Sequence, residues 1–502
     1  MEPGTENPPP RKTRSAAPWR RALFLPILSA TALCLYPLPA RLLLGEWAFP
    51  FDDPWIHQVY ARNIALHGEY AFNLGEASTA SSAPLWTFLM VPAHWLGVSP
   101  VVWALGWGLV SLAGLGAVTW AWGRQHFPEP LPTSLTIATL LTPHIAWAGV
   151  EGMETALVAA LALWALWRLD CGGWKSAREA LAEGALHGIL LWLRPEAPLL
   201  TLVVAWQRRR EGRQLLAFSA SYLALAGLYV GFHLAFGGQP LPQTVYAKAA
   251  YYGRTPTPAS LLSFLGDLLL NFVPGVWPLV GVLVLVSIWR QARQRAWPWG
   301  AGLAWAGLTL LVAALRLPAV LHFGRHFVPL LPVLLLAGGE ALAGFPTLGR
   351  RIALALGGIL LLAGIWVGIT FYLPLCRDIQ GSHVAMGRWI AAHLPRGAQV
   401  ATHDIGAIGY YGSHPVVDTL ALITPEITPL VAARDQAGLW HYLQQRGVRY
   451  LATFHDQYGE IRARPGVERL VETGRMELLL LPPEPQKPAF DYGPCLSPKS
   501  QR

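Results

Sequence analysis

Two adjacent acids, Asp52 and Asp53, open the segment Phe51-Asp52-Asp53-Pro54-Trp55-Ile56-His57-Gln58-Val59-Tyr60-Ala61-Arg62-Asn63, which directly follows a long apolar run. Proline is favoured at the first position of a helix, and an acid just before it caps the free N–H groups. Asp53 is therefore expected to cap a helix starting at Pro54, with Trp55, Val59 and Tyr60 at an interface. Capping accounts for only one acid. A carboxyl beside a low-dielectric cleft has its pKa raised to where it can take a proton from a hydroxyl, and Asp52 is the candidate for that chemistry. His57 lies one helical turn after Asp53, which suits an Asp–His hydrogen bond or a divalent cation. Two ligands without a third leave the metal open, and no cofactor follows from the residues. Farther on, Phe72-Asn73-Leu74-Gly75-Glu76 reads as a turn, and the segment from Ser78 to Trp86 passes from polar residues to an aromatic anchor.

Composition sets the elements that must hold these residues. Of 502 residues, 53% are hydrophobic and 13% charged, about half the charge of a soluble chain. Disorder, coiled coils and ordinary cytosolic enzymes are excluded, and an integral membrane protein remains. The net charge of +9 comes from basic residues that punctuate apolar runs, which argues for a lipid bilayer and against nucleic acid as a partner. Cys34, Cys171, Cys376 and Cys495 show neither CxxC nor Cys/His spacing, so neither a disulfide framework nor a zinc site is indicated.

Apolar stretches of about 20 residues cross a bilayer, and about eleven spans can be drawn: 22–44, 101–122, 131–149, 155–167, 184–193, 197–206, 215–236, 273–289, 300–315, 327–343 and 352–375. The fifth and sixth are short and flank Leu193-Arg194-Pro195-Glu196. They are expected to be half-helices meeting inside the protein, with Arg194 and Glu196 paired or lining a cavity, because unpaired charge is expensive at membrane depth. Residues 84–96 read as a juxtamembrane or re-entrant helix, since a full span there would carry Arg208, Arg209, Arg210 and Arg213 outside. With that choice, 18 of the 25 basic residues before residue 376 fall in the cytoplasm. The first run reads as an anchor, because no clear small-x-small cleavage site follows it.

The expected organisation is a cytoplasmic tail over 1–21 and a membrane domain over 22–375 with extracytoplasmic loops 45–100 and 237–271. A soluble extracytoplasmic α/β domain follows over 376–482, then a disordered tail over 483–502. Within the soluble domain, helices are expected over 383–394 and 435–446 and strands over 399–402, 416–417 and 448–454.

Asp52-Asp53 after the first span, Tyr60-Ala61-Arg62-Asn63, Phe72-Asn73-Leu74-Gly75-Glu76 and Ser82-Ala83-Pro84-Leu85-Trp86 resemble the GT-C superfamily of polytopic membrane glycosyltransferases. The nearest likeness is to bacterial arabinofuranosyltransferase- and mannosyltransferase-like members. The resemblance continues, in order, through Gly152-Met153-Glu154-Thr155, Arg194-Pro195-Glu196, Pro242-Gln243-Thr244 with Lys248, and Gly324-Arg325-His326-Phe327 with Pro329. It ends at Asp404-Ile405-Gly406-Ala407-Ile408-Gly409-Tyr410. Three places depart from the pattern: Gln243 stands where asparagine is more usual, Ala80 to Ala83 lacks a glycine and threonine, and His326 replaces an aromatic. They bear on the acceptor more than on the reaction.

The resemblance implies an α-helical polytopic protein of the bacterial inner membrane. It would transfer a sugar, with inversion, from a polyprenyl-phosphate-linked donor to a glycan, lipid or protein acceptor outside the cytoplasm. It implies Asp52 and Asp53 as catalytic acids and Arg62, Glu154, Arg194, Glu196, Lys248, Arg325 and His326 as substrate-binding residues. A departing phosphate needs a cation to offset its growing charge, and Lys248, Arg325 and His326 lie on that side. Taken alone, Arg325 and His326 fit side chains snorkelling at a helix start, Lys248 a solvated loop charge, and Glu154 an acid favoured by a helix N-terminus.

A transporter or flippase of a lipid-linked or sugar substrate is the alternative, since broken helices suit both. It would usually show related halves and midplane charges, and no clear internal repeat is seen. A non-catalytic assembly subunit with the same fold is a third reading, separated from the enzyme by loss of activity on changing Asp52 with expression intact.

Overall fold

A computed structural model describes residues 24–253, 257–272, 275–295, 297–316 and 324–483. The tails expected over 1–21 and, but for its first residue, 483–502 lie outside the described residues. Helices dominate. Four are long and apolar enough to cross a membrane: Phe24–Leu44, Pro100–His126, Gly212–Gly237 and Thr347–His393. A fifth results if the bent pair Pro258–Phe272 and Trp277–Gln294 acts as one span. Shorter apolar helices are Leu131–Leu141, Pro198–Gln207, Gly300–Arg316 and Val328–Ala343, and Thr155–Asp170 and Ala177–Leu193 pack on Pro100–His126 and Gly212–Gly237.

Prolines explain much of the difference between these helices and the apolar runs. Pro143 divides the run 131–149 into Leu131–Leu141 and Pro143–Ala148, because the residue before proline is pushed out of the helical region and Thr142 is extended. Pro195 lies in the break between Ala177–Leu193 and Pro198–Gln207. Pro84–Trp95 has 12 residues, about 18 Å of helix, which is too short to cross, and it packs on Asp53–His67.

Thr347–Asp378 runs without interruption through a π-helical segment, Ile379–Val384, into Ala385–His393. A single helix of 47 residues thus joins the membrane domain to the C-terminal unit, with no linker between them. That unit holds five strands: β1 (Val400–Thr402), β2 (Val416–Asp418), β3 (Tyr450–Phe454), β4 (Glu468–Thr473) and β5 (Met476–Leu480), in the order β2-β1-β3-β5-β4. β1 pairs parallel with β2 and with β3, while β5 runs antiparallel to β3 and β4. Met386, Ile390 and Ile408 cover one face of the sheet, and Leu439, Trp440 and Leu443 the other. The step from β1 to β2 goes through Gly406–Gly412 on the first face, and the opposite step from β2 to β3 goes through Gln436–Gln445 on the second. Right-handed crossovers require that alternation.

Neither the β4–β5 hairpin nor the Gly406–Gly412 helix is expected from the sequence. β4 is a largely exposed edge strand, so its residues are polar and its alternation is weak.

Candidate active site

Neither acid caps the helix that follows the pair. Asp53–His67 starts at Asp53 itself, and Asp52 occupies the N-cap position with no side-chain cap hydrogen bond, which corrects the expectation for Asp53. Asp52 serves a different helix, far along the chain. Its Oδ2 accepts from the Gly406 N–H at 2.7 Å and its Oδ1 from the Ala407 N–H at 2.7 Å. At the far end of that same helix, Gly406–Gly412, Arg62 Nη1 donates to the Tyr410 carbonyl at 2.6 Å and Nη2 to the Gly409 carbonyl at 3.4 Å.

An acid at the positive end of a helix and a base at the negative end is the arrangement its dipole favours. The first-loop helix therefore grips the C-terminal unit at both ends. Two glycines permit the approach: a Cβ on Gly406 would collide with Asp52, and one on Gly409 with the Phe72 ring. Arg62, expected at the substrate, lies at this helix end, where the terminal carbonyls need a donor and its guanidinium supplies two.

Burial pushes the Asp52 carboxyl up to about 6; the neighbouring His383 and the two N–H donors oppose that rise, and the Asp404 charge adds to it. His383 Nε2 donates to Asp404 Oδ2 at 2.8 Å. Burial works against ionisation of Asp404, but the bond to His383 and the charges of His403 and His383 together outweigh it and hold Asp404 below its ordinary value.

Asp53 forms an ion pair with Arg325, a buried guanidinium whose Nε and Nη1 have no hydrogen-bond partner among the described residues. A buried charge needs such a partner, which is why Asp53 turns to Arg325 rather than to its own helix. The Arg194 Nε lies 2.7 Å from Glu154 Oε1, which is almost fully buried, and its Nη2 donates to Thr155 Oγ1 at 3.1 Å. His326 Nδ1 sits between Arg194 Nη1 at 3.2 Å and Glu196 Oε1 at 3.5 Å, so the histidine links the two charges that flank Pro195. Lys248, half-buried on Gln243–Tyr252, has its ammonium held below its ordinary value by burial, while Asp53 and Glu196 favour its charge.

From Arg325 and Glu151 a groove of about 150 Å³ passes between Pro143, Trp147, Leu270, Val328 and Phe371, with a mostly apolar lining.

The loop motifs assemble this site. Tyr60 Oη lies 2.7 Å from Ser78 Oγ and accepts from the Ala80 N–H at 3.0 Å. Asn73 meets Val416 as a strand would, donating to its carbonyl at 2.8 Å and accepting from its N–H at 2.9 Å. Gln243 reaches Thr79 through its backbone and the Ala421 carbonyl through its side chain. His57 Nδ1 lies 2.9 Å from Thr87 Oγ1 and 3.1 Å from Ser81 Oγ, so its hydrogen bonds go to hydroxyls. Among the described residues no three His, Cys, Asp or Glu side chains are grouped to hold a metal ion.

Sequence reasoning missed Glu151, His383 and Asp404 as site residues. The available signal for Asp404 was an acid placed directly before two glycines spaced for one helix face.

A family model described as a domain of unknown function (DUF8728) matches residues 375–485. Over 234 residues the chain is 27% identical to the terminal β-(1→2)-arabinofuranosyltransferase of Mycobacterium tuberculosis, covering 41% of this chain and 36% of that protein's length. Among solved structures, ArnT from Cupriavidus metallidurans bound to undecaprenyl phosphate superimposes with a TM-score of 0.62 at 14% identity, covering 93% of this chain and all of ArnT. The oligosaccharyltransferase AglB from Archaeoglobus fulgidus, in complex with an inhibitory peptide and a dolichol-phosphate, gives 0.56 at 12% identity, covering 87% of this chain and 69% of AglB. At such identities the likeness to the solved structures is one of fold.

Proposed function

Since the chain is a multi-pass membrane protein with the GT-C fold, we propose that it transfers a sugar, with inversion, from a polyprenyl-phosphate-linked donor to an extracytoplasmic acceptor in the bacterial inner membrane. The observation that carries this reading is the apolar groove ending at Arg325, beside the two acids of the first loop. A prenyl chain suits an apolar groove. A phosphate suits a guanidinium with two unpaired nitrogens. The undecaprenyl phosphate named in the ArnT structure belongs to the same lipid class.

In the reaction the acceptor hydroxyl attacks the anomeric carbon opposite the phosphate while the bond from that carbon to the phosphate oxygen breaks. The hydroxyl proton passes to Asp52, and the electron pair leaves with the polyprenyl phosphate. Arg325 and Lys248 offset the growing phosphate charge. Asp52 suits its part because it is ionised at neutral pH yet basic enough to accept a proton. Asp53 orients Arg325 through their ion pair, and the group of Glu154, Arg194, Glu196 and His326 holds the cavity's charges in balance.

Purified protein in lipid nanodiscs, given synthetic polyprenyl-phosphate-linked pentoses and hexoses with alkyl glycosides, should form a new glycoside of inverted configuration and release polyprenyl phosphate. Donor movement across vesicles without any glycoside formed would instead establish the flippase.

A further inference from the structure

The chain order β2-β1-β3 makes the connection leaving β1 and the one arriving at β3 lie on opposite faces of the sheet. Parallel sheets bind ligands at such a switch point, outside the carboxyl ends of the strands. Here the residues directly after β1 are His403 and Asp404, and β3 ends at Phe454; the His403 and Phe454 ring centroids lie 4.7 Å apart.

Three observations mark this crevice as more than a consequence of topology. Asp404 precedes the Gly406–Gly412 helix, yet it does not cap it, because the Gly406 and Ala407 N–H groups are already taken by Asp52. Its carboxylate is 31% exposed and is held by His383, which is 2% exposed. His403 is 5% exposed, and neither ring nitrogen has a hydrogen-bond partner among the described residues; Nε2 points towards Asp404, 3.6 Å from its Oδ2. A buried imidazole left in that state is costly unless something else completes its bonding. Finally, His383 lies in the π-helical segment Ile379–Val384, a geometry that recurs at functional sites.

We propose that this crevice is the acceptor subsite and that it takes a neutral sugar, with Asp404 and His403 hydrogen-bonding its hydroxyls and His383 acting as the positioning residue for Asp404. The proposal rests on the glycosyl-transfer reading and names the acceptor class. Charge sets that class. Asp404 and Asp52 lie at this end and repel phosphate or carboxylate, whereas the cations Arg325 and Lys248 belong to the donor's end. Carboxylates and imidazoles accept and donate to hydroxyls without requiring a counter-charge.

Two measurements on the full-length protein in nanodiscs test this. One is binding of neutral manno- and arabino-oligosaccharides by calorimetry. The other is transfer to the same sugars from a polyprenyl-phosphate-linked donor. Asp404→Asn and His383→Leu should weaken oligosaccharide binding and raise the acceptor KM at least tenfold, with donor KM unchanged. His383→Gln places an N–H near Nε2 and should recover most of the binding. Wild-type affinity in both Asp404→Asn and His383→Leu, equal losses in the two His383 variants, or a wild-type preference for anionic oligosaccharides would each overturn the proposal. Loss of sugar binding in the variants of a wild type that transfers nothing would keep the subsite and remove the transferase reading. Normal transfer and binding by every variant would do the reverse.

Discussion

Replacing Asp52 by asparagine probes docking and chemistry at once, and the geometry allows the two to be separated. Each of its bonds to Gly406 and Ala407 is 2.7 Å long and involves a charged acceptor, the kind that contributes about 1.5–3 kcal/mol. Asparagine keeps one acceptor oxygen, but its NH2 group then faces a backbone N–H, so one bond becomes a contact between donors. We expect docking of the C-terminal unit to weaken by about 2–4 kcal/mol, read as faster proteolysis around residues 376–482. If Asp52 is also the base, turnover falls by a further factor of about 10²–10⁴.

Gly406→Ala supplies the control, since its methyl group collides with Asp52 and disturbs the docking while the ionisable carboxyl is retained. The pH profile then separates the two effects. Only ionised Asp52 can accept a proton, and its pKa lies near 6, so wild-type kcat/KM should rise with pH through about 6. That limb should survive in Gly406→Ala and vanish from the residual activity of Asp52→Asn. Wild-type turnover by Asp52→Asn, or the same slow, pH-independent rate in both variants, would refute Asp52 as base.

Arg62→Ala removes the donors at the other end of the docked helix and should loosen the C-terminal unit by about 1–3 kcal/mol, with donor KM unchanged; protease protection checks it. Lys248→Ala should lower kcat by about a hundredfold without unfolding the protein, as expected for one lost electrostatic contact to a departing phosphate, and wild-type turnover would remove it from the mechanism. Asp53→Asn removes the nearest counter-charge of the buried Arg325 guanidinium, which Glu151 and Glu154 still offset in part, so a thermal melt should show a loss of about 1–3 kcal/mol. A reporter fused after Thr453 should be active only outside the cytoplasm.

The four long apolar helices are legible in the sequence because about 20 apolar residues in a row have few other uses, and the proline breaks at 143 and 195 are local. The acid pair was legible as a candidate for the same reason, since two carboxylates at the end of such a run stand out. Which acid does what was not. Asp52 is claimed by amides 354 residues away and Asp53 by a guanidinium 272 residues away, and no local pattern carries such pairings. That Arg62 ends another helix is likewise hidden, because nothing near it in sequence reveals the contact. His383 was hidden differently: a π-helical segment adds a residue to one turn without changing the residue types that make a helix.

The grip of Asp52 and Arg62 on opposite ends of Gly406–Gly412 constrains how such proteins can be recombined. A chimera that borrows the C-terminal unit from a relative inherits a helix whose length and glycine spacing must match the ten-residue interval between its two anchors. Exchanging residues 375–485 alone would therefore misalign one anchor or the other unless residues 45–100 travelled with them, which makes the two segments, far apart in the gene, a single unit of exchange.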